Sequence, residues 1–183
     1  NALLINPPSG LYIREDRCQV PVNGLYGAVA RTPLDLAYMA STLREVGVMC
    51  TIKDYPVMNR DWGDFKADLE QINPDMLVVS VTTPTLDLDM KACNIAKDIN
   101  PAILTVGKES IQRIVRGDNL DQILGITCRR NGDIIVNKDS SFIEDLDSIP
   151  FPDRDILDNK YYFRPDTGEM QTTIQTNRGC PSK

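Results

Sequence analysis

The chain has 183 residues, of which 42% are hydrophobic and 25% charged, with a net charge of −6, and this length suits one core or one core with part of a second. It contains no histidine, which excludes Ser-His-Asp and Cys-His catalysis and metal sites built on imidazole ligands for this chain acting alone. There is no apolar run long enough for a membrane span, no signal-like leader and no basic stripe, so we expect a cytoplasmic protein that has no membrane span and binds no nucleic acid.

The first predicted strand covers residues 2–6, an apolar run stopped by two prolines, as expected for a strand buried on both faces. The next element is a helix from Pro33 onward, with Thr32 as its expected cap, Asp35 in its first turn and Gly47 as its stop. About 25 residues without periodicity separate the two elements. Connections of that length are usually functional or disordered.

Strands and helices alternate over the following stretch of the chain. Apolar runs predict strands over 48–54, 75–81 and 102–106, and helical spacing predicts helices over 62–72 and 85–99. This alternation is typical of an α/β fold, in which a parallel sheet carries helices on both faces.

The pattern changes after residue 106. Residues 111–115 predict a fifth strand, and the segments 125–130 and 133–137 flank Asn131-Gly132, a strong hairpin signal. Residues 140–168 are acidic, rich in proline and aromatic residues and without either period, which indicates a linker running over a surface. Residues 170–176 are β-branched and polar and predict one more strand.

Ligands of open parallel sheets bind beyond the carboxyl ends of the strands, so we searched the loops at 6–10, 80–85 and 106–108. The acidic residues of a phosphoacceptor receiver are missing, because Asn6 and Ser80 stand in their places. Neither the dinucleotide-binding glycine motif nor a P-loop occurs. Two prolines after the first strand match a flavodoxin phosphate loop poorly.

The loop over 80–85 carries four hydroxyls in six residues. Such hydroxyls can hydrogen-bond a planar heteroaromatic ring or a ribose, or they can cap the following helix and satisfy strand-end backbone groups. Local sequence leaves both interpretations open. We interpret Asp87 and Asp89 as first-turn helix charges, and the acidic residues of the linker as solvated rather than as a cation site.

Four stretches together resemble the cobalamin-binding radical S-adenosylmethionine proteins, often called Fe-S oxidoreductases. The first joins residues 3–8 with 33–40, the second is 75–83, the third is Ile114-Val-Arg-Gly-Asp118, and the fourth is Ile143-Glu-Asp-Leu-Asp-Ser-Ile-Pro-Phe-Pro-Asp-Arg-Asp155. The fourth leads into Thr176-Asn-Arg-Gly-Cys-Pro181, which is similar to the entry of the family's C-x-x-x-C-x-x-C iron-sulfur motif. The resemblance covers essentially the whole chain.

The resemblance implies a flavodoxin-like, Rossmann-like cobalamin-binding domain over 1–138, an acidic interdomain linker over 139–169, and the truncated first strand of a radical SAM barrel within 170–183. The corrin is expected against the carboxyl ends of the strands, with its nucleotide tail among them. The cofactor contacts that the resemblance implies are Asn6, Pro7, Ser80, Thr82, Thr83, Gly107, Lys108, Gly117 and Asp118, the last two after the fifth strand.

Cys180 matches the family's first cluster cysteine, and the chain's five cysteines are too widely spaced for a disulfide framework or a complete C-x-x-C metal site. A [4Fe-4S] cluster that cleaves S-adenosylmethionine is therefore expected only in the intact protein, because it needs three cysteines. The resemblance implies that the intact protein is a methyltransferase, and that the partner of this domain is its own C-terminal radical SAM barrel.

Two departures from the family pattern follow the fourth strand, where a second glycine with a His-Pro pair and a further helix are missing. Either the pocket is shortened, or a segment is absent from this sequence; we favour the second, because a crossover between parallel strands needs such an element. Without histidine, no D-x-H-x-x-G ligand can reach cobalt, whose lower face is then expected against the loop Ser9 to Thr32. Two other functions stay open: a flavodoxin-like docking module that has lost cobalamin, and a small flavin or nucleotide binder.

Overall fold

A computed structural model describes residues 1–11, 30–106, 111–130, 133–140, 143, 145–164 and 166–176. Its centre is a four-stranded parallel sheet with strand order β2-β1-β3-β4. The strands are β1 (Ala2–Asn6), β2 (Cys50–Asp54), β3 (Met76–Val79) and β4 (Leu104–Val106). The predicted α/β class with a parallel sheet is confirmed.

Helices cover both faces of this sheet. They are α1 (Leu34–Glu45), α2 (Trp62–Ile72), α3 (Leu86–Ile99) and the short α4 (Ile111–Val115). Side chains of α1 and α4 share one buried cluster with Ala2, Leu4, Ile52 and Val78. Side chains of α2 and α3 share the other with Leu3, Ile5, Leu77 and Val79. Successive strand residues thus point to opposite faces, both of them covered, which is why β3 is apolar throughout and β1 is apolar up to its last residue, Asn6.

The predicted fifth strand over residues 111–115 is wrong, because this segment forms α4. Ile111, Ile114 and Val115 all belong to or pack on the cluster beneath α1, and their spacing of three and four residues is that of a helix face. Gly117, with a φ of +79°, follows α4, and its amide donates to the carbonyl of Ile114. Within the described residues, no fifth strand joins the sheet.

The predicted hairpin is confirmed as an antiparallel pair of β5 (Thr127–Arg130) and β6 (Asp133–Val136). Its turn residues, Asn131 and Gly132, lie outside the described part of the chain. So do residues 12–29 of the long loop that was expected below the cobalt.

Residues 153–173, called the strap below, pack more closely than a surface linker would. Leu157 joins the cluster beneath α1, and Asp153 and Tyr162 are also buried. The predicted strand over 170–176 does not form: Met170 makes a single bridge with Phe163. The pairing stops because the amide of Thr173 donates to the side chain of Thr32 instead of to a neighbouring backbone.

In the described part of the chain, no helix is both long enough and apolar enough to span a membrane.

Candidate functional site

Three polar residues stand side by side at the carboxyl ends of β2, β1 and β3. Asn6 is in register with Asp54, and the amide of Ser80 donates to the carbonyl of Ile5 over 3.0 Å. Each lies two residues beyond an apolar residue of the α1-side cluster, so alternation directs all three toward the α1 side. We call Asp54, Asn6 and Ser80 the polar row; neighbouring strands in such a sheet are about 4.8 Å apart.

The polar row spans the point where the winding of the sheet reverses. From β1 the chain passes through α1 to β2 on one side, and later strands are added on the other side, at β3 and β4. Open α/β sheets bind ligands in the crevice that forms between strands at this reversal. Asn6 and Ser80 flank that crevice directly.

Asp35, in the first turn of α1, closes one side of the crevice. Its carboxylate accepts from the Ser80 hydroxyl at 3.0 Å and from the Leu36 amide at 2.9 Å. Negative charge is favourable at a helix N-terminus, and here the protein supplies that charge itself. A ligand phosphate at this position would therefore meet a carboxylate.

Asn6 is the exception to the otherwise satisfied polar groups. It is 7% exposed, and its Oδ1 is buried without a hydrogen-bond partner in the part of the chain that the structure describes. Leaving a buried acceptor unpaired costs about 1–3 kcal/mol. The neighbouring Ser80 hydroxyl donates to Asp35 rather than to Asn6. An N–H or O–H of a bound molecule would satisfy Asn6.

The hydroxyls that follow β3 mostly satisfy one another. The Asp89 carboxylate is fully buried and accepts from the Thr82 amide at 3.0 Å and from the Thr85 hydroxyl at 2.7 Å. The Thr82 and Thr85 hydroxyls are themselves 2.7 Å apart. The two hydroxyls are thus satisfied through the Asp89 carboxylate, and neither makes a side-chain capping bond to the helix that follows. Asp87 and Asp89 both lie in the first turn of α3, as predicted, and Asp89 is buried there.

The structure brings together only part of the predicted contact set. Asn6 and Ser80 share the polar row, buried Pro7 directly follows Asn6, Thr82 is committed to the Asp89 network, and Thr83 is exposed. Gly107, Lys108 and Cys180 lie outside the described residues.

Gly117 and Asp118 follow helix α4 rather than a strand, which corrects their predicted setting. Asp118 pairs with Arg113 at 2.8 Å. Within α4, Gln112 donates to the carbonyl of Thr42 near the end of α1. Helix α4 thus contacts the C-terminal half of α1, and a cofactor contact at Gly117 or Asp118 stays a prediction.

Sequence reasoning missed Asp54 and Tyr162. Tyr162 is 2% exposed, and its hydroxyl donates to Asp54 Oδ2 at 3.1 Å. A signal for Asp54 existed, because Leu4-x-Asn6, Ile52-x-Asp54 and Val78-x-Ser80 share one pattern of an apolar residue followed two positions later by a polar one. No local signal marks Tyr162, which lies far along the chain.

Metal ligation and thiol chemistry find no support at this edge. Among the described residues, no group of three or more cysteine or acidic side chains could hold a metal ion. Burial raises the pKa of the Cys50 thiol to about 11 and also raises the pKa of Cys93. Both thiols are therefore protonated at neutral pH and are poor nucleophiles and ligands.

Comparison with known proteins gives one relevant relative. The chain is 26% identical, over 180 residues, to an uncharacterized methyltransferase of Pyrococcus horikoshii. The alignment takes in 81% of this chain and 39% of the relative, so the chain spans well under half of that protein's length. No family model matches the chain, and no solved structure matches it.

Proposed function

We propose that this chain is the cobalamin-binding domain of a longer methyl-transferring enzyme. Three observations support the proposal: the β2-β1-β3-β4 parallel sheet, the methyltransferase name of a relative that is much longer than the region aligned with this chain, and the resemblance of the strand-end loops to cobalamin-binding radical SAM proteins. The site would be the polar row and the crevice beside it.

The observation that carries the proposal is the orphaned Oδ1 of Asn6 at the winding reversal. The rim of a corrin carries neutral amide side chains, whose N–H groups are donors of the kind that Asn6 and Asp54 can accept. The carboxylate of Asp35 disfavours a phosphate at the same position, so the phosphodiester of a cobalamin nucleotide tail, like the phosphate of a flavin, would have to lie elsewhere. The acceptors of this edge fit the amide-bearing rim of a corrin.

Under this proposal the chain's own residues bind and orient the cofactor. Asn6 and Ser80 would line the crevice, and the Asp89 network would hold the loop after β3 in place. Cobalamin, when bound, supplies a methyl group carried on cobalt. With no histidine in the sequence, this chain would offer no imidazole to the cofactor.

The radical SAM part of the proposal rests on the sequence resemblance alone. Cys180 would be the first of three cysteines that bind a [4Fe-4S] cluster. Sequencing the gene beyond the part that encodes residue 183 would test this. We expect it to encode two further cysteines that continue the C-x-x-x-C-x-x-C spacing. Iron and sulfide analysis of that longer protein should find about four of each per chain.

Hydroxocobalamin titration tests cofactor binding directly. The visible spectrum should change saturably, and the colour should stay with the protein through gel filtration. FMN, added in a parallel titration, should not be retained. If the protein retains FMN and not hydroxocobalamin, the proposal is overturned in favour of a flavin binder. If it retains neither, the proposal is also overturned, and the docking-module alternative is left.

Asn6→Leu sharpens the test, with Asn94→Leu on the exposed surface of α3 as the matched control. Leucine removes an unpaired acceptor and keeps the side-chain volume, so the free protein should unfold at the same temperature or a higher one. Binding of hydroxocobalamin should weaken about tenfold, as expected for one lost hydrogen bond. The Asn94 variant should bind as the wild type does.

A further inference from the structure

The strap is anchored on α1 at its beginning. The Asp153 amide donates to the carbonyl of Ala37 at 3.0 Å, and its carboxylate, 5% exposed, pairs with Arg44 Nη1 at 2.5 Å. Leu157, four residues further, is buried in the cluster beneath α1. This part of the strap is therefore held by the same core that holds β1 and β2.

The middle of the strap reaches the polar row. The buried hydroxyl of Tyr162 donates to Asp54 at 3.1 Å, and Asp54 is in register with Asn6 on the adjacent strand. Tyr162 thus stands at the β2 end of the row, one strand away from the orphaned oxygen of Asn6.

The end of the strap returns to the entrance of α1. Gln171 Nε2 donates to the carbonyl of Ala30 at 3.2 Å, and the Thr173 amide donates to Thr32 Oγ1 at 3.1 Å. Hydrogen bonds also join the beginning of the strap to its end, because Arg154 donates to the Thr172 hydroxyl and to the Thr173 carbonyl. Because the chain enters α1 at the carboxyl edge of the sheet, the end of the strap borders the candidate site, whereas its beginning pairs with Arg44 in the last turn of α1.

We propose that the strap forms the β2-side wall of the strand-end site, and that Tyr162 is a positioning residue that fixes Asp54 beside Asn6. This inference rests on the proposed function, since it concerns the same site. It adds that the binding unit extends through Thr173, and that a ligand at the polar row keeps the strap docked.

The proposal has a measurable consequence in the exchange of two amides. The Gln171 amide donates to the carbonyl of Tyr162, and the Thr173 amide to Thr32, so both exchange when the strap opens. If opening the strap also removes this wall of the site, the bound ligand must dissociate before the strap can open. Exchange at these amides then slows by the factor 1 + [L]/Kd, which is about a hundredfold when the ligand concentration is a hundred times Kd.

Hydrogen exchange followed by NMR, with and without hydroxocobalamin, tests this on the whole chain. We expect Gln171 and Thr173 to slow by that factor, while the amides of β6 (Asp133–Val136) serve as an internal control and keep their rates. If the visible spectrum shows binding but the two strap amides keep their rates, the wall is overturned and the proposed function stands. If no binding is seen, the proposed function itself fails.

Tyr162→Phe, compared with Tyr161→Phe, separates positioning from folding. Phenylalanine keeps the packed ring and removes the hydroxyl that holds Asp54, so hydroxocobalamin should bind about fivefold to tenfold more weakly and should no longer slow the strap amides. Tyr161 is only half-buried, and its variant should bind and protect as the wild type does. Equal binding and equal protection in the two variants would refute a role for Tyr162.

Discussion

At the scale of single residues, the strand-end edge is held by carboxylates that accept from neighbouring hydroxyls and amides. Asp35 accepts from Ser80, Asp54 accepts from Tyr162, and Asp89 accepts from Thr82 and Thr85. A buried carboxylate is tolerated only with such donors. These bonds shape the loops around the crevice, and they leave Asn6 as the group that faces it unpaired.

Asp89 gives a direct test of this network. Replacing it with alanine leaves the Thr82 amide and the Thr85 hydroxyl without their acceptor, so the free energy of unfolding should fall by about 2–4 kcal/mol. Asp87→Ala is the matched control on the same helical turn, where an exposed first-turn charge contributes at most about 1 kcal/mol. Urea unfolding followed by circular dichroism measures both. Equal losses in the two variants would show that the Asp89 network does not stabilise the loop.

The sequence predicted some of these site residues and not others, for physical reasons. Asn6 and Ser80 are recognisable because each directly follows an apolar strand. Asp89 was correctly placed in the first turn of α3, but its burial and its bonds to Thr82 and Thr85 were not predicted, because a first-turn position is the same for a buried and an exposed carboxylate. Tyr162 was not predictable, because its bond to Asp54 joins residues that are 108 positions apart.

At the scale of elements, the strands and the three long helices were predictable because burial imposes a clear period on them. The helix over 62–72 was predicted to the residue, and Asp61 caps it through the amides of Gly63 and Asp64. Thr32 was expected to cap α1, but its hydroxyl instead accepts from the distant Thr173. The strand predicted over 111–115 was wrong for a related reason. Five residues are too few to distinguish the period of a helix from an apolar strand.

At the scale of the whole molecule, the strap packs against the sheet although most of it lies in the stretch predicted as a linker. Composition separates 139–169 from the domain before it, because that stretch is acidic and rich in proline and aromatic residues. Packing joins them, since Leu157 shares a core cluster with β1, β2 and α1 and Tyr162 reaches the end of β2. Composition reports what a segment is made of, whereas domain membership depends on what it buries and against what.

Leu157→Ala tests whether the strap and the sheet form one cooperative unit. Leu157 is 5% exposed within the core cluster, so its truncation should cost about 2–4 kcal/mol in the free energy of unfolding. Leu146→Ala, at a leucine that is 43% exposed, should cost less than about 1 kcal/mol.

Denaturant unfolding followed by tryptophan fluorescence reports on Trp62, on the opposite face of the sheet. Because Trp62 lies far from the strap, a shift of its transition midpoint in Leu157→Ala means that the strap unfolds together with the sheet. An unchanged Trp62 transition would instead mean that the strap detaches by itself and is not part of the domain.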